Sequence, residues 1–215
     1  AGTGVTVEQA VGASVALARA AVAQSGRDAY VALDIGPSGK LLRPLGDLAF
    51  EDAVALFAQV VRAGDAAGAD CILIETMGDT HELKAAVLAA KENSSLPVFA
   101  SVTLNQKQTL LTGGDIAAVV ALLEGLRVDA IGINCGMGPR ELLGAVQELS
   151  RLSSTPVFLQ PNAGLPAVQD GVTRFDVGPE EFAALMADMP ALGACMLGGC
   201  CGTTPEHIAH MTRAL

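Results

Sequence analysis

Apolar and polar positions follow two rhythms along the chain. Alanine, valine and leucine recur at helical spacing from Thr6 to Ala23, with the helix starting after Thr6. Beyond it, short apolar runs take turns with longer amphipathic segments. Val31 to Ile35, Asp70 to Glu75, Val98 to Thr103, Ala130 to Asn134, Val157 to Gln160 and Ala194 to Leu197 read as strands. Phe50 to Ala67, Thr80 to Glu92 and Pro139 to Leu152 read as helices, as do Gly178 to Met189 and Pro205 to the C-terminus. Asp115 caps a further helix that reaches about Leu126. Gly36-Pro37-Ser38-Gly39 is a turn by composition, and a longer loop precedes Gly178.

The chain is thus a helix followed by six strand–helix units. Repeated βα units with right-handed crossovers build either an open doubly wound sheet or a (β/α)8 TIM-type barrel. Asp34, Glu75, Thr103, Asn134-Cys135, Gln160-Pro161-Asn162 and Cys200-Cys201 all fall at strand C-terminal ends. That placement favours the barrel, whose chemistry gathers there. A closed barrel needs eight strands and six are legible. The expectation is an α/β barrel-type domain over residues 1–215, lacking its first two strands. Its two open edges would invite pairing with a second chain.

Composition narrows the picture. With 51% hydrophobic residues but 3% aromatics, a core for 215 residues must come from Ala, Val, Leu and Ile, which suits helices packed on a parallel sheet. The net charge of −10, with no lysine- or arginine-rich block, argues against nucleic acid and anionic membranes as partners. Five cysteines cannot pair completely, so a reducing, cytoplasmic setting is expected. No apolar stretch reaches the ~18 residues of a membrane span, and the N-terminus does not read as a signal peptide.

The chemistry centres on Gly198-Gly199-Cys200-Cys201-Gly202-Thr203-Thr204-Pro205, a glycine-rich turn between a strand and a helix. Thr204 reads as the N-cap and Pro205 as the first helical position. Cys135 lies about 65 residues upstream, at the end of another strand in Gly132-Ile133-Asn134-Cys135-Gly136. Three thiols from two strand ends can converge on one metal, with zinc the first choice. Three protein ligands leave the fourth tetrahedral position open, as in catalytic zinc sites. The alternative is three buried, inert small hydrophobes. Cys71 and Cys195, early in their strands, are expected to be packed in that way.

Glu75 closes the run Cys71-Ile72-Leu73-Ile74, where a carboxylate needs a cation or ammonium partner. Asp34 has a similar position. Asn134 and Asn162 can offer donors and acceptors to a polar ligand. His207 and His210 are expected at the surface or in a cap. Gly36-Pro37-Ser38-Gly39-Lys40 lacks the spacing and the following helix of a phosphate loop.

These motifs, with Ile74-Glu75-Thr76 and Pro161-Asn162-Ala163-Gly164-Leu165-Pro166, give the chain a strong resemblance. It resembles the zinc-dependent homocysteine S-methyltransferases, the barrel family that includes the N-terminal module of cobalamin-dependent methionine synthase. The resemblance implies that Cys135, Cys200 and Cys201 bind zinc and that homocysteine thiolate takes the open position. It implies that Glu75 receives the substrate amino group; Asp34, Asn134 and Asn162, from their own positions and chemistry, are expected as further substrate contacts. The Pro-Asn-Ala-Gly-Leu-Pro and Gly-Pro-Ser-Gly forms look most like the methionine synthase branch. In that branch the donor is methylcobalamin on another domain, recharged from methyltetrahydrofolate. Transfer from S-methylmethionine or betaine is the alternative within the family. A non-catalytic zinc-holding fragment that serves as an assembly or partner domain is the alternative outside enzymology.

Overall fold

Thr6 opens the first helix with a capping box, its hydroxyl accepting from Gln9 N while the Gln9 side chain accepts from Thr6 N. The computed structural model describes residues 4–169 and 171–215. In chain order the elements are α1 (Val7–Ser25), β1 (Ala32–Ile35), α2 (Phe50–Ala66), β2 (Cys71–Met77), α3 (Thr80–Asn93) and β3 (Val98–Val102). There follow α4 (Ile116–Gly125), β4 (Ala130–Asn134), α5 (Pro139–Leu152), β5 (Val157–Gln160), β6 (Pro166–Gln169) and β7 (Val172–Phe175). The chain ends with α6 (Pro179–Met186), a 3-10 turn (Met189–Leu192), β8 (Ala194–Leu197) and α7 (Pro205–Ala214).

Six strands form one sheet in the order β1-β2-β3-β4-β5-β8, and β6 and β7 form a separate antiparallel hairpin. The α/β class and the βα repetition expected from the sequence are therefore present. The hairpin is new: the sequence reading left 166–175 as loop. The second departure is at residues 187–189, where the expected helix was to run on to Met189. There α6 stops at Met186, and Gly193, at φ 101°, ends a 3-10 turn instead.

The chain divides into two compact units, one drawing on residues 4–75 and 81–100 and the other on 76–80 and 101–215. In the first, β1 and β2 run parallel with Ala32 opposite Cys71 and Ile35 opposite Ile74. Leu33 and Ile35 are buried while Asp34 is exposed. Helix α2 comes so close to β1 that a Cβ on Gly64 would lie 2.4 Å from Leu33 Cδ2, so any larger residue there must push the buried Leu33 side chain aside. Helix α1 is mostly exposed, with Val15 its buried residue. It is tethered by Arg19, which bonds Asp70 Oδ1 at 2.6 Å, while Asp70 Oδ2 accepts from Val31 N.

In the second unit, β4, β5 and β8 run parallel, with Asn134 opposite Gln160 and Leu159 opposite Leu197. All five residues of β4 are buried, as expected for a central strand. Helix α5 starts at Pro139, which needs no N–H partner at that position, and buries Leu142, Ala145, Val146 and Leu149. Among the described residues no helix is long and apolar enough to cross a membrane.

Candidate metal centre

Strand β4 ends at Asn134, and the backbone then enters the left-handed region at Cys135 (φ 61°) and Gly136 (φ 71°). This abrupt turn holds Cys135 at the strand end. Its N–H donates to Gln160 O on the neighbouring β5, at 3.0 Å. The turn after β8 is fixed in the same way. Cys200 N donates to Pro161 O at 2.8 Å, Ala163 N to Cys201 O at 2.9 Å, and Thr203 N and hydroxyl to Cys200 O. The loop after β5 therefore clamps both thiol-bearing turns through its backbone.

The three sulfurs meet. Cys135 Sγ lies 3.6 Å from Cys201 Sγ, which lies 3.9 Å from Cys200 Sγ, and all three ligand atoms fall within 4.8 Å of one another. Metal–sulfur bonds of about 2.3 Å in a tetrahedron separate the sulfurs by about 3.8 Å. The cluster fits such an ion, and its three donors leave one position for a substrate atom. Cys135 and Cys200 are half-buried and Cys201 is exposed, so the site is reachable.

The thiols are electrostatically unequal. A hydrogen bond from Cys200 is the main influence drawing Cys135 down to about 5, assisted by Gly136 N, Cys201 and the Asn162 side chain. The same bond pushes Cys200 up, and loss of solvation, followed by the Cys135 interaction, pushes Cys201 up. The surroundings thus favour ionisation at Cys135 over Cys200 and Cys201. Metal binding must displace the thiol protons that remain.

Two asparagines stand behind the sulfurs. Asn162, 3% exposed, accepts from Cys201 N at 3.2 Å and bonds Cys135 through its side chain. Asn134 is 0% exposed and places Nδ2 3.8 Å from Cys200 Sγ. Both are expected as substrate contacts; in the structure both are buried against protein partners, their amides bonding the backbone and side chains around the cysteines.

Glu75 lies half-buried near the end of β2, off the face that buries Ile72 and Ile74. Asp34 lines a cavity of about 330 Å³ with Ala10, Ser14 and Ala18 of α1, and desolvation there raises its carboxyl. Cys71 and Cys195 lie outside the cluster among the described residues. Cys71 is half-buried, but Cys195 is exposed rather than packed, with Sγ donating to Val157 O at 3.3 Å. His207 is not at the surface: at 6% exposure it caps α7. Its Nε2 donates to Val177 O, so Nδ1 is the acceptor for Thr204, and the ring is the neutral tautomer. Glu82, a buried residue the sequence reading missed, accepts from Ser38 N and Oγ. That carboxylate occupies the Gly36–Lys40 turn, which agrees with its not being a phosphate loop.

Residues 2–215 match the model of a family described as homocysteine S-methyltransferase. Methionine synthase of Mycobacterium tuberculosis (strain ATCC 25618 / H37Rv) is 37% identical over 195 residues, 88% of this chain and 16% of that protein. Methionine synthase of Mycobacterium leprae (strain TN) is 40% identical over 154 residues, 69% of this chain and 13% of that protein. The chain thus spans less than a fifth of the length of these relatives. Among solved structures, the metallated form of the homocysteine methyltransferase MmuM from Escherichia coli superposes with a TM-score of 0.81 at 29% identity. The alignment covers 99% of this chain and 73% of that one. The apo form of the same enzyme gives 0.79, covering 100% and 77%.

Proposed function

The chain belongs to the homocysteine S-methyltransferase family, and from that premise we propose that it methylates the thiol of homocysteine to form methionine. The observation that carries this reading is the convergence of Cys135, Cys200 and Cys201. In this proposal the three thiolates hold zinc, a Lewis acid that keeps a substrate sulfur deprotonated and nucleophilic at neutral pH.

The chain's own residues do the rest. The backbone clamps from Gln160, Pro161 and Ala163 fix the two cysteine turns, so that the donor set stays in place as substrate enters. Glu75 receives the substrate ammonium and Asp34 lies among the further contacts. The homocysteine thiol loses its proton on entry. Its sulfur lone pair then forms the new S–CH3 bond as the donor–methyl bond breaks, and the donor keeps that bond's electron pair.

Residues 1–215 act here as one homocysteine-binding module of the methionine synthase type. The donor is methylcobalamin on another domain or protein, recharged from methyltetrahydrofolate, and the cobalamin- and folate-binding modules are its partners. The similarity to two methionine synthases supports this branch. A cytoplasmic location goes with it, since reducing conditions keep such thiols free.

The test is methionine formation from homocysteine with each donor in turn. The reading expects turnover with methylcobalamin, and none with betaine or S-methylmethionine. Turnover with either of the latter alone would move the chain to another branch. No turnover with any donor, in a chain that holds zinc, would favour a zinc-holding partner domain.

A further inference from the structure

The Asn134 side chain has four hydrogen-bonding positions, and the protein uses all of them. Oδ1 accepts from Thr76 N at 2.7 Å and from Ser101 Oγ at 2.8 Å. Nδ2 donates to Thr76 Oγ1 at 2.7 Å and points its other hydrogen at Cys200 Sγ, 3.8 Å away. Nothing remains for a substrate. Thr76 is held at both its N–H and its hydroxyl by one side chain, and it needs holding. At φ 63° it is a β-branched residue in the left-handed region, a conformation that persists only where surrounding bonds dictate it. Thr76 directly follows Glu75 in the chain.

We propose that Asn134 is a positioning residue that ties the thiol of Cys200 to the strained backbone at Thr76, so that metal affinity and the backbone at Glu75–Thr76 are set together. The N–H directed at Cys200 orients the sulfur, the usual part of a group standing behind a metal ligand. The opposite end of the same amide fixes the backbone immediately after Glu75. A disturbance at either end is therefore felt at the other. This inference rests on the three-thiolate reading above.

The test is a double-mutant cycle on cobalt(II)-loaded protein. Apparent metal affinity comes from chelator competition, and the sulfur-to-metal charge-transfer absorption reports the thiolates. Asn134→Ala is expected to weaken metal binding about tenfold and to change the absorption band. Thr76→Val keeps its shape and touches no ligand sulfur, yet it strips one Asn134 N–H of its acceptor. It is expected to weaken binding several-fold and to raise the Kd for homocysteine. The double variant should bind metal no worse than Asn134→Ala, because both substitutions cut one connection. Losses that multiply, or metal affinity and absorption at parent values in both single variants, would overturn the proposal whatever the melting temperatures do. If Asn134→Ala fails to fold, Asn134→Leu, closer in volume, takes its place in the cycle, and Thr76→Val alone still decides. A parent that takes up no metal would overturn the functional reading, and this inference with it. A parent that binds metal beside unaltered variants would overturn this inference alone.

Discussion

Gly136 occupies a position that no other residue can take without cost. Its φ of 71° is left-handed, and an added Cβ would lie 2.8 Å from Thr103 Oγ1 and 2.9 Å from Leu104 O. One of those neighbours is backbone and cannot swing away. Gly136→Ala should therefore destabilise the fold by about 1–3 kcal/mol and shift Cys135, its chain neighbour. The expected outcome is a lower denaturation midpoint together with weakened metal binding, measured on the same preparation. Loss of stability with metal affinity intact would separate this turn from the site. At this scale the three thiols were legible from residue type and spacing alone. The sequence hid the protein partners of Asn134, which lie 58 and 33 positions away on other strands. It also hid the burial of His207, since a capping side chain and a surface one leave the same pattern.

Among the elements, α1 is held through Arg19, which bonds both Gly68 O and Asp70. Asp70 is held below the usual carboxylate range, first by the Arg19 hydrogen bond and then by Val31 N. The sign of the pH effect follows: a depressed folded pKa adds stability above the unfolded pKa, and that stability is lost as pH falls through the folded value. The anchoring of α1 should loosen below about pH 4. Hydrogen exchange in α1 should rise there ahead of exchange in α5, and Asp70→Asn should show the raised exchange already at pH 7. Equal protection in the parent and Asp70→Asn at pH 7 would assign the anchoring to contacts other than this ion pair, such as the Arg19 bonds to Gly68 O.

The element boundaries were readable wherever glycine, proline or a cap punctuated them, as at Asp115, Pro139 and Pro205. The β6–β7 hairpin escaped for a different reason. Its strands are four residues each, one starts at a proline, and most of their described residues are exposed, so no apolar alternation marks them. Asp170-Gly171 is the dipeptide of a tight hairpin and was the available signal.

For the molecule as a whole, the donor set is drawn from distant parts of the chain. Cys135 follows β4, Cys200 and Cys201 follow β8, and β5 lies between those strands in the sheet. The loop after β5 bonds both turns, so the site forms only when all three strands are paired. Metal removal should then lower stability as well as abolish activity, since an ion that binds only the folded chain adds to its stability. A melting temperature unchanged by chelation would mean that no ion was bound to the folded state.

The most direct measurement is zinc per chain in protein purified without chelator, made in parallel on Cys200→Ser. The account predicts about one zinc per chain in the parent and little in the variant. A folded parent without zinc, or a Cys200→Ser variant that keeps it, would contradict the three-thiolate centre and the methyl transfer built on it.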